Sequence, residues 1–113
     1  MPAYPVNGSD LKKIYWLRDK IIEDLRSPPN LDELSESVAF SESKMNRLFK
    51  QIFGTTIYNY HQKLRITRAA YLIKNDNVSV SEAGYQIGFS NLSHFSRIFE
   101  KHIGMKPKKY SLS

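Results

Sequence analysis

Two arginines, Arg47 and Arg97, sit in stretches of like design, each with small hydrogen-bonding side chains within one helical turn. A guanidinium carries paired donors in a rigid plane, which match the two acceptors on the major-groove edge of guanine. An asparagine amide can do the same for adenine, and hydroxyls adapt to either. Ser43, Asn46 and Arg47 in the first stretch, and Ser93, Ser96 and Arg97 in the second, are therefore candidates to read base edges. Asn91 and Leu92 stand where the second stretch begins; Leu92 could touch a thymine methyl or belong to the core. Lys50, Arg65, Lys101, Lys106, Lys108 and Lys109 are candidates for phosphate contacts, and Arg68 is open either to that role or to bracing the helix that carries it. Any one of these cations alone is more simply a solvated surface charge. Two arginines at equivalent places in a repeat argue for a shared surface.

Such side chains need helices to present them. On a wheel of about 100° per residue, Phe95, Ile98, Phe99 and Ile103 gather on one side, and Ser93, Ser96 and Arg97 on the other. Gly104 suits a left-handed helix end, and Pro107 prevents resumption. The same device occurs earlier. Met45, Leu48, Phe49, Ile52 and Phe53 form an apolar stripe opposite Ser43, Asn46, Arg47 and Lys50, ending at Gly54. Phe40-Ser41 answers Phe89-Ser90, with one residue fewer following, and Arg47-Leu48-Phe49 answers Arg97-Ile98-Phe99. One supersecondary unit is used twice.

Each stripe is preceded by a shorter helical segment. Asn30 caps one that buries Leu31, Leu34 and Val38, with Glu33 as its reciprocal partner; Ser79 and Glu82 form the capping box of Val80–Ile87. Two short helices joined tightly, the second with a polar outer stripe, describe a helix-turn-helix. A first helix from Ser9 or Asp10 to Arg26 has the stripe Leu11, Ile14, Leu17, Ile21, Ile22 and Leu25, and Ser27-Pro28-Pro29 stops it. Between the two motifs runs the longest helical segment, Thr56 to Asn75. Ile57, Tyr60, Leu64 and Tyr71 lie on one face of it, with Ile66, Ala69, Ala70 and Ile73 opposite. That pattern predicts a strut serving a body on each side. The expected fold is all-α: two helix-turn-helix subdomains, homeodomain-like lobes, joined by a long central helix. Residues 1–8 read as leader, 9–55 as the first lobe (helix-turn-helix 31–54), 56–75 as the linker helix and 76–113 as the second lobe (helix-turn-helix 79–104). About 19 residues at about 1.5 Å each span close to 30 Å, near the roughly 34 Å between major-groove faces on one side of a duplex. One monomer is thus expected to reach adjacent major-groove segments.

The chain's 113 residues suffice for one compact domain or two small lobes. Net charge is +6 and unevenly placed: residues 1–54 hold eight basic and eight acidic side chains, residues 55–113 nine and three. A basic surface attracts polyanions. Cysteine is absent, which removes disulfides and thiolate metal sites. No apolar run reaches membrane-span length, and no signal segment opens the chain. His61, His94 and His102 lack ligand spacing, and neither a phosphate-cradling loop nor an activated nucleophile is evident. No metal, cofactor or enzymatic activity is expected.

The residues resemble the DNA-binding domain of AraC/XylS-type bacterial transcription regulators. The resemblance rests on Ser81-Glu82-Ala83-Gly84-Tyr85, Gly88-Phe89-Ser90, Ser93-His94-Phe95-Ser96-Arg97-Ile98-Phe99, Gly104, Pro107 and Tyr110. Leu48-Phe49-Lys50, Gly54, Tyr60, Leu64-Arg65, Arg68-Ala69 and Leu72 extend it through the middle. It covers about residues 10 to 110. Departures are Ser35 and Gly84 where the family usually has alanine, Ser111 in place of an arginine, and Glu100 where a lysine is common. The resemblance implies double-stranded DNA as partner, contact with RNA polymerase, a cytoplasmic and nucleoid-associated location, and a sensing or dimerisation domain N-terminal to this one. Two rival classes remain. A helical protein-interaction module would expose an apolar groove, and an RNA-binding module would expose aromatics for stacking.

Overall fold

The computed structural model describes residues 5–113; residues 1–4, half of the expected leader, lie outside the described residues. The described residues form helices α1 (Gly8–Glu23), α2 (Leu31–Val38), α3 (Glu42–Phe53), α4 (Ile57–Asn75), α5 (Val80–Gln86), α6 (Leu92–Ile103) and α7 (Pro107–Leu112). Two compact units result. One takes the chain to Asp24 and then Pro28–His61; the other takes Leu25–Ser27 and Gln62–Ser113. The helix expected as a separate strut is thus divided: its first turn belongs to the first unit and the remainder supplies the second unit with its leading helix.

The first unit closes α1, α2 and α3 over Ile14, Leu17, Ile21, Val38, Phe40, Met45, Leu48, Phe49 and Ile57. The expected stripe of α1 is narrower in fact. Leu11 and Ile22 are exposed, and the helix ends at Glu23 instead of running to Arg26. Two causes end it. Asp24 turns extended, and its carbonyl, one of the acceptors a helix end leaves unpaired, takes a hydrogen bond from Nε2 of buried His61 at 3.0 Å. Leu25–Ser27 then leave for the second unit.

The second unit packs α4, α5, α6 and α7 around Ile66, Ala69, Ala70, Leu72, Ile73, Ala83, Ile87, Phe89, Phe95 and Phe99. Ile66, Ala69, Ala70 and Ile73 face this core as the wheel required, while Ile57 and Tyr60 pack in the first. Tyr71 departs from its expected face: it is half exposed, with the Arg68 guanidinium 5.4 Å from its ring. Tyr110 folds back edge-on to Phe99, ring centroids 5.5 Å apart. Phe49, Phe95 and Phe99 are wholly buried; each stabilises its unit by about 1.5–3 kcal/mol through burial alone.

Candidate nucleic-acid interface

Helices α3 and α6 are each twelve residues long, start after a side-chain cap and end at a left-handed glycine. Ser41 Oγ accepts from the Lys44 amide at 3.1 Å, and Asn91 Oδ1 from the His94 amide at 3.0 Å. Gly54 (φ 78°) and Gly104 (φ 95°) close the helices, each amide donating at 2.8 Å to the carbonyl four residues back. Equal lengths and equal caps put the two helices in register. Ser43 then matches Ser93, Asn46 matches Ser96, Arg47 matches Arg97, and Lys50 matches Glu100.

Ser43, Asn46, Arg47 and Lys50 are exposed on α3, as are Ser93, Arg97 and Glu100 on α6, with Ser96 half-buried. Lys101, Lys106, Lys108 and Lys109 are exposed on α6 and around α7. None of the exposed large apolar side chains among the described residues lies on α3 or α6. The outward faces of both helices therefore offer hydrogen bonds and charge.

One expected contact is corrected, and two further candidates are engaged within the second unit. Arg65, a phosphate candidate from sequence, is only 6% exposed. Its Nε donates to the Ile87 carbonyl at 3.1 Å, its Nη1 to Gln62 Oε1 at 3.2 Å, and its guanidinium lies 4.1 Å from the centroid of Phe89. It braces α4 against the turn before α6 and has no access to phosphate. Leu92, a base-reading candidate, is half-buried and packs into the second core; a Cβ built on Gly84 would meet its Cδ2 at 3.2 Å and Phe95 Cδ2 at 3.0 Å. Asn91 is exposed and uses its amide oxygen to cap α6, accepting from the His94 amide at 3.0 Å.

The turns preceding α3 and α6 repeat one another in detail that sequence reasoning missed. Lys13 Nζ of α1 donates to the Val38 carbonyl at 2.8 Å and stands 4.9 Å from the Phe40 ring centroid. Arg65 makes the same pair of contacts, to Ile87 and Phe89. The third residue of each recognition helix also approaches that ring: Lys44 Nζ lies 4.4 Å from Phe40, and the His94 ring 5.6 Å from Phe89. The one available signal was the shared Phe-Ser pair, two residues after an apolar residue that ends the preceding helix.

Charge at the two helices differs. Glu42, first residue of α3, has its carboxyl raised above the ordinary value by a hydrogen bond to Asp32, then by desolvation and the Asp32 charge. The His102 imidazole is lowered from its ordinary value, first by partial burial and then by the charges of Lys101 and Lys63. Among the described residues no group of three histidines or carboxylates could hold a metal ion, and no helix is long and apolar enough to cross a membrane.

A paired helix-turn-helix domain is the class that these elements define. A family model described as a helix-turn-helix domain matches residues 34–112. A solved AraC-type DNA-binding-domain regulator from Chromobacterium violaceum superposes with TM-score 0.79 at 27% identity, covering 94% of this chain and 95% of that one. The DNA-binding domain of AdpA, solved in complex with a target DNA, has the same fold at TM-score 0.78 and 19% identity, over 88% of this chain and 90% of that one. Among curated proteins, the transcriptional activator RhaS of Escherichia coli is 30% identical over 93 residues, 82% of this chain. The regulator GbdR of Pseudomonas aeruginosa is 29% identical over 108 residues, 96% of this chain. The chain belongs to the AraC-type helix-turn-helix family. It spans about a third of the length of those relatives, 32% of RhaS and 29% of GbdR.

Proposed function

We propose that this chain is the sequence-specific, double-stranded-DNA-binding output domain of a bacterial transcription regulator. It inserts α3 and α6 into adjacent major-groove segments. The observation that supports this most is the common register of the two helices, with Arg47 and Arg97 at equivalent exposed positions. Asn46, Ser43, Ser93 and Ser96 complete the base-reading set. Lys50, Lys101, Lys106, Lys108 and Lys109 supply the phosphate contacts that give non-specific affinity. The polar outer faces of α3 and α6 favour this reading over a helical protein-interaction module. In the full-length regulator a separate N-terminal domain senses a signal or dimerises, and RNA polymerase is the partner. The location is the cytoplasm, at the nucleoid. No catalytic role is assigned.

Arg47→Ala and Arg97→Ala test the reading directly. On a duplex selected by the wild-type chain, each substitution is expected to cost about 1–3 kcal/mol and to relax base preference at one segment only. Unchanged affinity in both variants would remove the arginines from the interface.

Glu100 gives an independent check, because it stands where α3 has Lys50. A carboxylate beside phosphate is unfavourable, so Glu100→Lys is expected to tighten binding to unselected duplex and to steepen its salt dependence by about 0.9 in log–log slope. Weaker binding to the selected duplex, with no gain on unselected DNA, would mean that Glu100 accepts from a cytosine amino group.

A further inference from the structure

We infer that Lys13, on the helix before the first helix-turn-helix, is a positioning residue that sets the orientation of α3. The inference rests on the DNA-reading function proposed above, and follows from the match between Lys13 and Arg65. In the second unit a cation from the leading helix reaches the carbonyl of Ile87, the residue that caps α5, and stacks on the phenylalanine two residues later. In the first unit Lys13 does the same to the carbonyl that ends α2 and to Phe40. The cap Ser41 follows Phe40 directly, and α3 follows the cap. The Lys13 contacts therefore fix the exit of the turn from which α3 springs.

A second link strengthens the first. Lys44, in the opening turn of α3, forms an ion pair with Asp10 of α1 at 3.3 Å, and its ammonium shares the Phe40 ring with that of Lys13. One turn of α1 thus grips both the turn and the helix after it. Val38 and Phe40 are buried, so the groups that Lys13 holds cannot shift without disturbing the core. A lysine is a looser clamp than an arginine, having a compact ammonium on a flexible stem in place of a planar fork. Arg65 is buried, whereas Lys13 is half-buried. The first recognition helix is therefore the more adjustable of the two. Base reading demands side chains held to a fraction of an ångström, so the clamp governs specificity without touching DNA.

The test compares the wild-type chain with Lys13→Met and Lys13→Arg by fluorescence anisotropy across a salt series. Each binds a duplex selected by the wild type, a scrambled duplex, and a set with single base changes in each half. Lys13→Met keeps the apolar stem, and a thermal melt establishes that it is folded at the assay temperature. Its affinity for the selected duplex is expected to fall about tenfold, as for loss of one charge-assisted hydrogen bond. Preference is expected to relax only in the half that Arg47→Ala affects, with salt slope and scrambled-duplex affinity unchanged. Lys13→Arg is expected to restore preference. A slope lower by about 0.9 with preference intact would instead make Lys13 a phosphate contact and overturn the inference. So would wild-type behaviour of Lys13→Met. A wild-type chain that does not distinguish selected from scrambled duplex would defeat the DNA-reading function itself, and the inference with it.

Discussion

Replacement of Gly88 by alanine is expected to destabilise the second unit by more than about 3 kcal/mol. Gly88 has φ 94°, a region that L-residues rarely adopt, but the conformation alone does not carry the effect. Ala39 occupies the equivalent turn position in the first unit, before Phe40 as Gly88 is before Phe89, and holds φ 57°. A left-handed alanine costs only about 1–2 kcal/mol. The difference is the surroundings. A Cβ on Gly88 would stand 2.1 Å from the Arg26 carbonyl oxygen and 2.8 Å from two more backbone atoms of that residue. These are main-chain atoms, which cannot swing aside as a side chain would, so Leu25–Ser27 would have to leave the unit. Thermal unfolding followed by circular dichroism is expected to show a large loss of stability in Gly88→Ala, and Ala39→Gly is the control, neutral or slightly stabilising. A Gly88→Ala protein that melts as the wild type does would mean that residue 26 does not pack on this turn.

The same turn shows where sequence reasoning reaches and where it stops. Apolar spacing located both recognition helices, because a stripe such as Phe95, Ile98 and Phe99 leaves only one face to bury. Local chemistry located two caps: Asn30 and Ser79 each accept from the amide three residues on, a contact fixed by the chain between them. Contacts between distant residues carry no such signature. Arg65 lies 22 positions from Ile87 and Lys13 lies 25 from Val38. A cation on a helical wheel looks the same whether its partner is a phosphate or a carbonyl from another helix. Asn91 shows that one position can serve two ends, since a residue well placed to approach a base is also well placed to cap, and here its oxygen caps α6. Spacing alone puts Leu25 in the stripe of α1, although Pro28-Pro29 nearby give the chain a reason to leave the helix early, and the helix ends at Glu23.

Arg65 yields the second large effect, and its sign separates a brace from a DNA contact. Arg65→Met removes a buried donor set, and with it the charge-assisted hydrogen bonds to the Ile87 carbonyl and to Gln62 Oε1, at about 1.5–3 kcal/mol for each bond lost. Loss of the ring contact with Phe89 adds about 1 kcal/mol. The sum, on the order of 3 kcal/mol or more, corresponds to a fall in melting temperature of about 10–20 °C for a domain of this size. Arg65→Lys is the more telling variant, because it keeps the charge. One ammonium cannot span Ile87 and Gln62 while lying flat on Phe89, as the planar fork does. The lysine variant is therefore expected to recover less than half of the lost stability. A phosphate contact would behave in the opposite way: Arg65→Lys would bind DNA almost as the wild type, and Arg65→Met would melt normally while its salt slope dropped by about 0.9. Melting curves and salt series on the same three proteins decide between these outcomes. Where Arg65 is the brace, stability falls in both variants, and the salt slope of whatever remains folded is that of the wild type.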